Sequence, residues 1–229
     1  MSGESERPLI QPEIFETETE AFQAASTRLV HAISSSIATK STCILVLAGG
    51  NSVNSVMRFA FQSDINWSQV HLVLADERCV PLGHVDRNDF AVTALVESAS
   101  LVHRPVVHGI PAELGPRLGA EKFTEQLATI GQPDIALMGV ADDGHIASLF
   151  PGSTALTASG EAVSVIDSAK EPSERVSCSL AYLGRATYRI ALQTGHNKRD
   201  IFVRLQQGER LPLALFSPTH WFMDYNATR

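Results

Sequence analysis

The run Cys43-Ile44-Leu45-Val46-Leu47-Ala48 is continuously apolar, rich in branched side chains and too short for a helix. A strand that is polar on neither face has to be covered on both, which is the situation of a central strand in a parallel sheet. Gly49-Gly50-Asn51-Ser52 ends the run, and over residues 53–61 the apolar spacing changes to the helical period, so the stretch reads strand, glycine turn, helix. The pattern returns at residues 70–75, closed by Asp76-Glu77-Arg78, and at Ile135-Ala136-Leu137-Met138, closed by a polar turn that carries Asp143-Gly144-His145.

Other segments fit around these strands. Residues 9–15 form an edge strand, since Pro12 cannot donate to a ladder. Thr17 or Thr19 caps a helix whose apolar stripe is Ala21, Phe22, Ala25, Leu29, Ile33 and Ile37. A loop over residues 79–88 leads into another helix, followed by a short strand at 106–108 and a helix at 114–130. The last third reads as strands at 162–166, 176–180, 188–192 and 221–223, with a helix at 196–207. Alternating strands and helices imply an α/β fold: a doubly wound, mostly parallel sheet with helices on both faces, plus a small antiparallel addition in the C-terminal third. With 229 residues, 44% of them hydrophobic, one domain spanning residues 1–229 is expected.

The net charge of −7 argues against nucleic-acid or membrane-surface partners, which demand a positive field, but leaves room for local cations that hold a small anion. Cys43, Cys79 and Cys178 are far apart and odd in number, so neither a disulfide framework nor a zinc knuckle is expected, and a reducing cytoplasm fits. Residues 1–8 carry no apolar signal core. The expected partner is a small molecule, with the chain a monomer or small homo-oligomer.

Three polar clusters follow directly on apolar strands, and in an open parallel sheet such carboxyl ends converge on the edge where ligands bind. Gly49, Gly50, Asn51 and Ser52 bring backbone N–H groups and a helix N-terminus together, as an anion cradle or as a plain connecting turn. Neither a Gly-x-x-x-x-Gly-Lys-Ser/Thr nor a Gly-x-Gly-x-x-Gly motif is present, and Asn54 stands where a serine-nucleophile elbow needs glycine, which makes Ser52 a poor nucleophile. Arg78 is either a substrate contact or half of a surface ion pair. His145 follows Asp143, an acid suited to orient it; a hydrogen-bonded loop histidine is the bland alternative. His71 reads as packed, Cys79 beside Arg78 invites the thought of a lowered thiol pKa, and Asp142, Asp143 and His145 make no more than a weak metal site, so no metal is expected.

Asp76-Glu77-Arg78-Cys79-Val80-Pro81, then Asn88, and later Asp143-Gly144-His145-Ile146-Ala147-Ser148-Leu149-Phe150-Pro151-Gly152 resemble the two signature blocks of the 6-phosphogluconolactonases. The likeness extends to Gly49-Gly50, Pro172-Ser173-Glu174-Arg175, Gly195-His196-Asn197-Lys198 and Trp221-Phe222-Met223-Asp224. The resemblance implies an α/β sandwich shared with glucosamine-6-phosphate deaminases, and hydrolysis of 6-phospho-D-glucono-1,5-lactone to 6-phosphogluconate without metal or organic cofactor. By motif position it implies His145 as general base, Gly49 to Ser52 as the sugar-phosphate loop, Arg78 and Lys198 as cationic contacts, and a place in the site for Asp76, Asn88 and Arg175. Backbone N–H groups around Gly144, or the guanidinium of Arg78, would meet the developing oxyanion. An aminosugar-phosphate isomerase-deaminase and a non-catalytic sugar-phosphate-binding protein are the alternatives. The chain departs from the family pattern at Asn51, at Val53, and at Ala141-Asp142, where glycine and proline are usual. Asp142 adds a negative charge near the expected anion.

Overall fold

The structure, a computed structural model, describes residues 9–229, so the polar start at residues 1–8, where no targeting segment is expected, lies outside the described residues. In chain order the strands are β1 (Glu13–Phe15), β2 (Cys43–Leu47), β3 (Val70–Leu74), β4 (Asp76–Arg78), β5 (Val106–His108), β6 (Ile135–Gly139), β7 (Ala162–Val165), β8 (Arg175–Cys178), β9 (Tyr188–Gln193) and β10 (His220–Asp224). The helices are α1 (Glu18–Lys40), α2 (Asn51–Ala60), α3 (Asn88–Ser98), α4 (Pro116–Ile130), α5 (Leu180–Leu183), α6 (Arg199–Gln206) and α7 (Pro212–Phe216).

Seven strands form one sheet in the order β1-β10-β9-β6-β2-β3-β5, with every pairing parallel. From β2 the chain passes outward to β3, and from β6 it passes to β9 on the other side. The carboxyl ends of β2 and β6 are therefore a topological switch point, where the diverging connections leave a crevice. The two strands are buried along almost their whole length, as their unbroken apolar character demands. Asp134 tightens the pair from below: its backbone N–H donates to Ile44 O, and its carboxylate accepts the Ile44 N–H at 3.0 Å and pairs with Lys40.

Helix α1 begins with a reciprocal cap. Glu20 N–H donates to Thr17 Oγ1 at 3.2 Å while Thr17 N–H donates to Glu20 Oε2 at 3.0 Å. Its stripe Ala21, Ala25, Leu29 and Ile33 is buried, and Ser41 closes it in a left-handed conformation. No helix among the described residues is long and apolar enough to cross a membrane.

Three expectations change. Asp76-Glu77-Arg78 is a strand, β4, in a separate antiparallel sheet of order β4-β8-β7, so this addition draws on a segment one third of the way along the chain as well as on its last third. Its polar side chains have uses here: Asp76 and Arg78 line a cleft, and Glu77 accepts the backbone N–H groups of Asn88 and Asp89. The segment expected as a strand at 176–180 ends at Cys178, because Ser179 accepts the Tyr182 N–H at 3.0 Å and caps α5. His71 does more than pack: its Nδ1 lies 2.9 Å from Nε2 of His108 on the neighbouring strand.

Candidate active site

A cleft of about 300 Å³ opens over the carboxyl ends of four adjacent strands, β9, β6, β2 and β3. Gly49, Gly50, Asn51 and Ser52 line it from the end of β2, Asp76 and Arg78 from β4, Asn88 from the start of α3, His145 from the turn after β6, Arg175 from β8, and Lys198 from the turn after β9. Asp143 and Gly144 stand behind this surface.

The turn after β6 sets the histidine. Ala141 N–H donates to His145 O at 3.0 Å and Gly144 N–H to Ala141 O at 3.1 Å, with Gly144 at φ +89°, a conformation that favours glycine. Asp143 Oδ1 accepts the His145 backbone N–H at 3.1 Å and lies 2.6 Å from His145 Nδ1. Burial of Asp143 opposes its charge, yet these hydrogen bonds outweigh burial and hold its carboxyl well below the usual carboxylate range. A carboxylate only accepts, so the proton belongs on Nδ1, and Nε2 is the nitrogen left for the cleft. Phe150 supports the ring at a centroid distance of 4.3 Å.

Opposite the histidine, α2 starts at Asn51 without a side-chain cap, and Gly50 at φ +118° turns the chain into it. Uncapped N–H groups and the positive end of the helix give this point the chemistry to accept an anion. Gly49 has a different reason to be glycine: a Cβ there would lie 2.1 Å from Asn88 Oδ1. Asn88 in turn donates to Asp76 O at 2.8 Å, and Ser148 Oγ donates to Asp76 Oδ2 at 2.6 Å. Asp76 and Asn88 thus tie the start of α3 and the Ser148 turn to the small sheet at the floor of the cleft.

Arg78 donates through Nη1 to Asp86 O, while its buried Nε has no partner among the described residues. Arg175 is almost wholly buried and donates to the carbonyls of Pro172, Lys170 and Glu171, with Ser148 Oγ at 3.4 Å. It builds the rim loop more than it reaches into the cleft, and burial lowers its pKa. The Lys198 turn is fixed from beneath: Gln193 Nε2 donates to Lys198 O at 3.0 Å, and Gly195 N–H to Asp224 Oδ1 at 2.8 Å. Burial also lowers the Lys198 pKa, with Asp142 opposing the shift.

A model of the family described as glucosamine-6-phosphate isomerases/6-phosphogluconolactonase matches residues 16–224. The chain belongs to this family. Among its relatives, the 6-phosphogluconolactonase of Mycobacterium leprae is 32% identical over 236 residues, covering 94% of this chain and 96% of that protein. The GDH/6PGL endoplasmic bifunctional protein of Oryctolagus cuniculus is 30% identical over 202 residues, and there the match covers 80% of this chain but only 25% of the longer protein. The crystal structure of 6-phosphogluconolactonase from Thermotoga maritima matches with a TM-score of 0.83 over 93% of this chain and 100% of that one, a likeness of fold at 22% identity.

The chain's departures from the family pattern have local explanations. Ala141 is not among the residues at positive φ, so the turn does not require glycine there. Asp142 is paired with Lys170. Of the donors expected for an oxyanion, the Gly144 N–H is committed to Ala141 O, while Arg78 lines the cleft. Burial, followed by Glu174, pushes the Cys79 thiol up to about 11, the reverse of an activated cysteine. Among the described residues no group of His, Cys, Asp and Glu is placed to hold a metal ion.

Residues that the sequence alone does not single out complete the site. Glu77, fully buried, accepts N–H groups of Asn88 and Asp89 at 2.8 and 2.9 Å and so caps α3 from β4. Gln193 ends an apolar run and Lys170 sits in a polar loop, and neither carries a local signal of its place.

Proposed function

We propose that this chain hydrolyses 6-phospho-D-glucono-1,5-lactone to 6-phosphogluconate, the second step of the oxidative pentose phosphate pathway. The observation that carries the reading is the Asp143–His145 contact of 2.6 Å beneath a cleft that also holds Arg78, Lys198 and the uncapped start of α2. His145 Nε2 takes a proton from water as the water oxygen bonds to C1 of the lactone. Asp143 stays ionised and steadies the imidazolium. Arg78 stabilises the oxyanion at C1. When the tetrahedral intermediate collapses, the bond from C1 to the ring oxygen breaks, and the imidazolium returns its proton to that oxygen. A lactone is an activated ester, so no covalent nucleophile is required, in keeping with the poor setting of Ser52. Lys198 and the N–H groups at Asn51 and Ser52 take the phosphate.

The relatives' names support lactone hydrolysis over aminosugar deamination, since the Mycobacterium leprae lactonase matches along almost its whole length. The reading extends to one catalytic domain over residues 1–229, acting in the cytoplasm as a monomer or small homo-oligomer, with three free thiols in keeping with a reducing compartment. The test is consumption of the lactone above its spontaneous rate. Wild-type protein should accelerate it, and His145→Ala should lose most of that acceleration while still binding 6-phosphogluconate. Equal rates for the two proteins, or ammonia release from glucosamine 6-phosphate, would overturn the reading.

A further inference from the structure

The anion site stands next to a carboxylate. Asp142 adjoins Ala141, which lines the cleft, and its side chain is half exposed. Ala141, its chain neighbour, and Lys198 line the same cleft, and the Asp142 charge favours the protonated form of Lys198. Left alone, Asp142 would oppose a dianionic phosphate and partly neutralise the lysine meant to hold it.

The counter-charge comes from a separate part of the chain. Residues 168–173 form a loop closed on itself by Ser168 N–H donating to Ser173 O at 3.0 Å and by Ser168 Oγ donating to Lys170 O at 2.5 Å. Buried Arg175 clamps the same loop through the carbonyls of Lys170, Glu171 and Pro172. The backbone of Lys170 is thus held by other groups, and its side chain reaches out to pair with Asp142.

We propose that Lys170 is a positioning residue that sets the cleft's affinity for the phosphorylated substrate by neutralising Asp142, without touching the substrate. The proposal rests on the lactonase reading for the identity of the anion. It also gives Arg175 a purpose consistent with its burial, since the arginine builds the loop that delivers the lysine. One unit charge near a dianion, but not in contact with it, in a largely aqueous setting changes affinity roughly three- to tenfold.

Steady-state lactone kinetics and calorimetric titration with 6-phosphogluconate, both at low ionic strength, test this on wild type, Lys170→Met, Asp142→Asn and the double variant. Lys170→Met should raise KM and the 6-phosphogluconate Kd roughly three- to tenfold, with kcat within about twofold and folding intact. Asp142→Asn should lower both constants, and the double variant should return to within about twofold of wild type. A double variant as weak as Lys170→Met would mean that Lys170 binds the anion directly, and a Lys170→Met variant equal to wild type would mean that the pair is inert; either result overturns the proposal. If wild type binds 6-phosphogluconate without turnover, the lactonase reading fails while the calorimetric ranking still decides this one. If it binds none, both fall.

Discussion

Arg78 on β4 and Arg175 on β8 are direct cross-strand partners. Like charges placed opposite each other on an antiparallel pair destabilise it. Arg175 is satisfied by loop carbonyls, with Asp76 the strongest favourable charge acting on it, whereas Arg78 keeps a buried Nε without a partner among the described residues. On the proposed function, the repulsion stands where the substrate anion would be received.

Arg78→Ala should therefore separate stability from function. Its thermal midpoint should equal or exceed that of wild type, because a repulsive partner is gone. Its kcat/KM for the lactone should fall roughly 100-fold or more, the scale for losing one oxyanion donor. Added 6-phosphogluconate should raise the midpoint of wild type clearly and that of the variant far less. A variant that unfolds earlier yet keeps its activity would show that Arg78 serves the fold instead.

Gly49 and Asn88 should be energetically coupled. The Cβ of Gly49→Ala would overlap the Asn88 amide, which cannot swing away without giving up Asp76 O. Gly49→Ala alone should cost about 2 kcal/mol or more in denaturant unfolding. Asn88→Ala removes every atom in that clash, so the double variant should be less destabilised than the sum of the two single changes, by about 1 kcal/mol. Strict additivity would mean that the backbone accommodates the methyl without help from residue 88.

What could be read from the sequence was what is local. The apolar runs at residues 43–48 and 135–138 announce strands because both faces are buried, and Thr17 or Thr19 could be read as a helix cap, of which the structure selects Thr17. The Asp143–His145 contact is equally local, two residues apart on one turn. Strand β4 was not legible, since its three residues are polar and become a strand only against β8, far along the chain. The same holds for the Lys170–Asp142 pair, which spans 28 positions and is set by a loop that Arg175 assembles. Gln193 and Asp224 were hidden for a related reason: each ends a buried strand, and their hold on the Lys198 turn exists only once β9 and β10 lie side by side.

The thiols should be inert in the folded protein. Burial pushes Cys43 up to about 12, with Asp134 adding to the shift, and Cys79 up to about 11, while Cys178 is fully buried. Only the thiolate reacts. Ellman's reagent at pH 8 should label native protein far more slowly than protein in denaturant, where all three react. Rapid labelling of one thiol without denaturant, traced by peptide mapping to Cys79, would contradict the environment described for it.

Asp143 links catalysis to stability through its ionisation. Its folded pKa lies below its ordinary value of 3.8. A depressed carboxyl favours the folded state once it is ionised, so this contribution is fully present above pH 3.8 and declines as pH falls below it toward the folded pKa. Its carboxylate is about one-third exposed, and solvent screening limits the effect to about 1 kcal/mol. Asp143→Asn should thus be less stable than wild type by about that amount at pH 6, with the gap narrowing in urea titrations as pH is lowered below 3.8. The same variant loses the acceptor that fixes the Nδ1–H tautomer, and an amide can present its own N–H to Nδ1 and put the wrong nitrogen toward the cleft. Lactonase kcat should fall roughly 10³- to 10⁴-fold while 6-phosphogluconate affinity changes little. A stability gap that persists unchanged to pH 2.5, or a kcat close to that of wild type, would remove Asp143 from the role the 2.6 Å contact suggests for it.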